Sequence, residues 1–212
     1  MFSSSDATAW VHWHLRRRQW VAAALASAVA LAACQRGGGV APSFRGIDVT
    51  GAPYGRELAL TDQHGQRRTL ADFRGQVVML YFGFVQCPDV CPTALSRAVE
   101  VMQRLGSDAQ RVQLLFVTVD PERDTPALLR EYMAAFHPSF LGLTGSAEEI
   151  AAAAREFKVY YAKVPTGSSY TMDHSAQTYL IDPQGRLRVV LKHEQTADDY
   201  AHDIALLLRT SG

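Results

Sequence analysis

Three things are scarce in this chain, and each scarcity narrows what it can be. Neither sign of charge is in surplus, since 21 lysines and arginines balance 21 aspartates and glutamates. No basic or acidic face is called for, and no nucleic-acid partner is expected. No apolar run reaches the about 20 residues of a comfortable membrane span. Cysteine occurs only at Cys34, Cys87 and Cys91, so any thiol chemistry rests on very few atoms. There is no internal repeat and no sign of a second domain. The 212 residues, 48% of them hydrophobic, suffice for one domain with a proper core.

The amino-terminal segment is of a different kind. Arg16-Arg17-Arg18 precedes an alanine-rich apolar run from Val21 to Ala33, the pattern of a secretory signal. Its end, Leu31-Ala32-Ala33-Cys34, resembles a bacterial lipobox, in which the cysteine becomes the lipidated first residue of the mature protein. The expected organisation is a lipoprotein-type signal over 1–33, a flexible tether over 34–43 from lipidated Cys34, and a folded domain over 44–212. That places the domain on a membrane facing the periplasm of a bacterial envelope. The competing reading is an uncleaved signal anchor in which Cys34 is an ordinary thiol.

With Cys34 lipidated, one pair remains: Cys87 and Cys91, in Cys-x-x-x-Cys spacing after an apolar stretch. Two thiols four residues apart at a helix start lie one turn apart on the same face. A bridge between them would close a tiny loop and stabilise little, so the pair is read as chemical rather than structural. It would hold a soft metal ion or cycle as a disulfide. Helix-start placement favours thiolate over thiol at both positions.

Val77 to Phe84 and Val112 to Val119 are continuous apolar runs, the mark of strands buried on both faces. A helix is expected from about Pro92 to Leu105. Thr125-Pro126 opens another, running to about Phe136. Ser146 with Glu149 forms a capping box for a third, ending near Lys158. Short strands are expected at Glu57–Thr61, Arg67–Thr69, Leu141–Leu143 and Tyr160–Val164, with loops over Phe44–Tyr54 and Pro165–Tyr170. A hairpin over Gln177–Ile181 and Leu187–Leu191 turns at Asp182-Pro183-Gln184-Gly185, and a last helix covers about Ala197–Leu208. Strands alternating with helices give an α/β sandwich. A strand running straight into a cysteine-bearing helix start is the thioredoxin-like arrangement: a central mixed sheet flanked by helices.

Four motifs together resemble the Sco/SenC copper proteins of cytochrome oxidase assembly, over most of Phe44 to Leu191. They are Tyr81-Phe82-Gly83-Phe84, Cys87-Pro88-Asp89-Val90-Cys91-Pro92, Val119-Asp120-Pro121-Glu122-Arg123-Asp124-Thr125-Pro126, and Asp173-His174-Ser175 leading into Tyr179-Leu180-Ile181-Asp182. The resemblance implies a thioredoxin-like fold with copper held by Cys87, Cys91 and His174. Two soft thiolates suit Cu(I), and an imidazole extends the site to Cu(II). It also implies a metallochaperone, a carrier rather than an enzyme, that helps assemble the CuA centre. Its partners would be the copper-accepting oxidase subunit and another copper chaperone or a thiol reductant, and nothing demands more than a monomer. Where relatives commonly carry Thr-His before the first cysteine, this chain has Val85-Gln86, so roles assigned to those side chains do not transfer.

Other candidates have plainer explanations. His64, His137, His193 and His202 are expected to be solvated, and Met102, Met133 and Met172 to fill the core. Asp89 suits the helix-start dipole. Asp120 and Asp124 fit as turn and cap residues, although the resemblance ties this acidic loop to copper or partner contacts. Two further functions use the same residues. One is a thiol–disulfide oxidoreductase that keeps acceptor cysteines reduced. Against it stand the spacing, one residue longer than Cys-x-x-Cys, and Asp173-His174-Ser175 where such enzymes usually place a cis-proline. The other is a copper sensor or buffer.

Overall fold

The computed structural model describes residues 43–210. The expected signal segment, Cys34 and the tether as far as residue 42 lie outside them. Ten strands are described: β1 (Ile47–Asp48), β2 (Ala59–Asp62), β3 (Arg67–Thr69), β4 (Val77–Gly83), β5 (Val112–Thr118), β6 (Leu141–Thr144), β7 (Tyr161–Thr166), β8 (Ser169–His174), β9 (Thr178–Ile181) and β10 (Leu187–Leu191). The α-helices are α1 (Val90–Leu105), α2 (Pro126–Phe136), α3 (Ala147–Glu156) and α4 (Ala197–Thr210).

Eight strands form one sheet in the order β1-β10-β9-β4-β5-β6-β2-β3. The central β4, β5 and β6 are parallel, and their neighbours on both sides run antiparallel. This is the expected mixed sheet of a thioredoxin-like fold. All seven residues of β4 are buried, as its unbroken apolar run requires of a central strand covered on both faces. β4 pairs with β5 from Val77↔Val112 to Gly83↔Thr118, and with β9 through Tyr81↔Thr178. The carboxyl end of β4 therefore lies beside the start of β9, which brings the residues just before β9 next to those just after β4.

Local signals set the helix starts. Thr125 Oγ1 accepts the Leu128 N–H at 3.2 Å, with Pro126 at the first helical position. Ser146 and Glu149 exchange both bonds of the capping box. Such caps contribute about 1 kcal/mol each.

Two expectations are corrected. The stretch Phe44–Tyr54, read as loop, contains β1, which pairs with β10 through Ile47↔Val190 and Asp48↔Val189. A two-residue edge strand is fixed by its partner, so it carries little pattern of its own. Pro165–Tyr170, also read as loop, is the tip of a hairpin: β7 and β8 pair from Tyr161↔His174 to Thr166↔Ser169, turning at Gly167, whose φ of +60° suits glycine. This ribbon stands apart from the main sheet, and β7 is half-buried to exposed throughout. It therefore lacks the alternation that marks a strand.

Candidate metal centre

The site forms where three segments meet. β4 ends at Gly83, the chain turns through Phe84 to Asp89, and α1 begins at Val90. Cys91 is thus in the first turn of α1. Cys87 is not: it precedes the helix, in a turn closed by its own N–H donating to the Phe84 carbonyl at 3.3 Å. The reading that put both cysteines on the helix start is corrected to one. The pair still meets, because the Cys91 backbone N–H donates to Cys87 Sγ at 3.4 Å. His174 ends β8, and the hairpin delivers it to the same point.

The donor atoms of Cys87, Cys91 and His174 all lie within 4.8 Å of one another, the one such group found among the described residues. Cys91 Sγ is 3.4 Å from His174 Nε2. His174 Nδ1 is 3.0 Å from the Ser175 carbonyl. A carbonyl only accepts, so Nδ1 carries the proton and Nε2 turns its lone pair toward the sulfurs, the orientation a metal-binding histidine needs. Phe84 and Tyr81 stand edge-on to the imidazole, with ring centroids 5.8 and 6.2 Å away and interplanar angles of 89°.

The two thiols are unequal. Cys91 is fully buried, whereas Cys87 is 8% exposed and lines a cleft of about 300 Å³ with Phe84, Pro88, Met172 and His174. The side-chain hydrogen bond from Cys91 is the main influence pulling the Cys87 thiol down, to about 5, against desolvation; the Asp89 and Cys91 N–H groups assist. Cys91 is pushed up, first by Cys87 and then by burial. The expectation of two thiolates thus becomes one thiolate at Cys87 beside one protonated thiol at Cys91, because the second charge would be buried next to the first.

The donor set suits one soft ion. Three ligand atoms bound at about 2.0–2.3 Å to a common metal stand roughly 3.5–4 Å apart, so the donors, all within 4.8 Å of one another, close around an ion with shifts of at most about an ångström. Two sulfurs and one nitrogen select Cu(I) or Cu(II) over hard cations.

Several supporting residues carry no motif of their own. Gly83 is one: a Cβ there would come within 2.8 Å of Cys91 Sγ and 2.9 Å of both Phe116 and Tyr81 side chains. Asp124 is another. Read as a cap-region residue, it is 1% exposed. Its Oδ2 accepts the Thr118 hydroxyl at 2.6 Å and the Val85 N–H at 3.0 Å, tying the cysteine loop to the end of β5. Burial holds its carboxyl above the usual range. Asp120 is equally buried and braces the ribbon instead. It accepts the Tyr170 hydroxyl at 2.9 Å and an Arg123 N–H, and Arg123 lies 3.8 Å over the Tyr170 ring. Their spacing suggested turn residues; only the strands folded against them reveal buried acceptors.

The other candidates stay apart from the centre. His137 and His202 bond to Ser139 and Asp203, and half-buried His193 keeps a buried Nδ1 without a partner. Met102, Met133 and Met172 are core residues, and Met172 also lines the cleft.

Known proteins with this arrangement form a consistent set. The SCO1/SenC family model matches residues 48–209. The mitochondrial SCO2 homolog of Bos taurus is 49% identical over 133 residues, 61% of this chain and 50% of that protein. The chain thus spans about half the length of that curated relative. Bradyrhizobium japonicum ScoI, solved with copper bound, superposes with a TM-score of 0.67 at 41% identity, covering 72% of this chain and 98% of that one. BsSco, described as a member of the Sco family of cytochrome c oxidase assembly proteins with a disulfide switch, has a TM-score of 0.60 at 26% identity, covering 73% and 93%. A thioredoxin-like sheet, two cysteines around the first turn of α1 and a histidine carried in from a separate ribbon thus coincide with a family match over most of the described residues, and the chain belongs to the SCO1/SenC family.

Proposed function

We propose that this domain binds one copper ion through Cys87 Sγ, Cys91 Sγ and His174 Nε2 and carries it to the copper-accepting subunit of a cytochrome oxidase, for assembly of the CuA centre. One observation carries the reading: two sulfurs and an oriented imidazole nitrogen converge within 4.8 Å beside a cleft that leaves one side open. Cys91 is fully buried, with the Tyr81 hydroxyl against its sulfur, whereas Cys87 and His174 line the cleft. An incoming thiolate or imidazole from the acceptor approaches there and displaces a cleft-lining ligand, Cys87 or His174, first, while buried Cys91 retains its position. Three protein ligands leave room for that fourth donor. Copper is cargo in this scheme, so tight retention is not the goal.

The amino-terminal reading completes the proposal. Residues 1–33 direct export, lipidated Cys34 anchors the chain facing the periplasm, and the tether keeps donor and acceptor in one membrane plane. The domain works as a monomer, with another copper chaperone or a thiol reductant upstream.

A second reading, a thiol–disulfide reductase for the acceptor's cysteines, is favoured by the acidic Cys87 thiol beside a protonated Cys91, a nucleophile with its resolving partner. The deciding experiment is transfer from the copper-loaded protein to an apo oxidase fragment with reduced cysteines. A carrier loses copper to that fragment faster than to a chelator of equal affinity. A reductase instead converts an oxidised fragment to thiols and shows no preference between fragment and chelator.

A further inference from the structure

We infer that Tyr81 is a positioning residue that damps Cys91 as a copper ligand and thereby biases the site toward Cu(I); this rests on the copper reading above. Tyr81 lies on β4, two residues before Gly83, and is 1% exposed. Its ring stacks on Phe116, with centroids 6.2 Å apart and planes inclined by 30°, and it meets the His174 ring edge-on at 6.2 Å. One side chain therefore touches two of the three ligands.

A buried hydroxyl is costly unless it finds an acceptor, and the acceptor Tyr81 Oη meets is Cys91 Sγ, at 3.9 Å. Such a contact strengthens when the sulfur carries charge, as it does once it holds a metal. A hydrogen bond into a thiolate withdraws electron density and makes it a weaker donor, which favours the less charged state of the metal. Cys87 is held by a different donor. Its sulfur accepts the Cys91 backbone N–H and lines the cleft. The two sulfurs thus take their hydrogen bonds from different donors, Cys91 from a side-chain phenol and Cys87 from a backbone N–H, so a side-chain substitution can remove only the first. Gly83 leaves the space that lets phenol and sulfur meet.

The structure supplies its own control. Tyr132, on α2, also packs on Phe116, with centroids 5.9 Å apart, but its buried hydroxyl has no partner. Tyr81→Phe and Tyr132→Phe each remove one buried oxygen near the site, and only the first removes a bond to a ligand.

The experiment compares wild type, Tyr81→Phe and Tyr132→Phe after loading with one Cu(II), by the thiolate-to-copper absorption band and the Cu(II)/Cu(I) potential. Tyr81→Phe should move the band to longer wavelength and lower the potential while still binding one copper per chain. Tyr132→Phe should change neither. A wild-type band and potential in Tyr81→Phe would overturn the role of Tyr81 and leave the copper reading intact. Equal shifts in both variants would also overturn it, assigning the effect to general polarity. Absence of any thiolate-to-copper band in the wild-type protein would instead sink the copper reading itself.

Discussion

Gly83→Ala tests whether the site depends on how tightly the sheet end packs against the sulfurs. The backbone at Gly83 is ordinary extended strand, so conformation does not demand glycine; space does. A methyl there would sit 2.8 Å from Cys91 Sγ and 2.9 Å from both Phe116 and Tyr81. To recover an ordinary contact of about 3.5 Å the sulfur must retreat by roughly 0.7 Å, and Phe116 and Tyr81 are themselves fully buried. Metal–ligand distances tolerate only about 0.2 Å, so the displaced sulfur should cost at least about 1.4 kcal/mol of copper binding, roughly tenfold in affinity. Overpacking adds about 1–3 kcal/mol of lost stability, which at about 2–4 °C per kcal/mol for a domain of this size lowers the melting temperature by roughly 2–12 °C. Gly142→Ala is the comparison. Its methyl meets Leu129 and Met133 at 3.1–3.3 Å, away from the cysteines, so it should destabilise mildly and leave copper affinity unchanged. The assays are thermal unfolding of the copper-free protein and a competitive Cu(I) titration. Wild-type affinity in Gly83→Ala, or an equal loss in Gly142→Ala, would refute the reasoning.

Asp124→Ala strands two buried donors, the Thr118 hydroxyl and the Val85 N–H, and should cost about 2–4 kcal/mol in urea unfolding at neutral pH; a loss below about 1 kcal/mol would mean the carboxylate does not brace the loop. Because burial raises its carboxyl above the ordinary 3.8, the folded state takes up that proton more readily than the unfolded one. Its contribution thus favours folding in acid and is lost as pH rises through the folded value. Asp124→Asn should therefore gain on wild type as the pH is raised from about 4 to 7, and a pH-independent difference would contradict the assignment. Alkylation of the reduced protein should label Cys87 before Cys91, with a midpoint well below the ordinary thiol value of 9.0; a midpoint at or above that value would place no stabilised thiolate there. Cys34→Ala should release the full chain from membranes, and persistent membrane association would favour an uncleaved anchor.

How much of this was legible in the sequence differed from element to element. β4 and β5 announced themselves because a strand covered on both faces can carry only apolar residues, and Thr125-Pro126 and Ser146/Glu149 because caps are local chemistry. The Cys87, Cys91 and His174 trio came from a motif resemblance; spacing alone did not connect His174 to residues more than 80 positions away. The connection is made by β9 pairing with β4, and by a hairpin whose exposed strands have no periodicity to read. The position of Cys87 relative to the helix start is not encoded in the spacing, because Cys-x-x-x-Cys fits a helical turn as well as the tighter turn that forms. Gly83, Tyr81 and Asp124 matter through what lies against them, and a linear string does not record that.

The most direct test of the central claim is X-ray absorption at the copper edge of the domain loaded with one Cu(I) or Cu(II). The account expects a shell of two sulfurs at about 2.2–2.3 Å and one imidazole nitrogen, with the nitrogen lost in His174→Ala and one sulfur lost in Cys87→Ser or Cys91→Ser. A shell of nitrogen and oxygen alone, or one unchanged by all three substitutions, would contradict it.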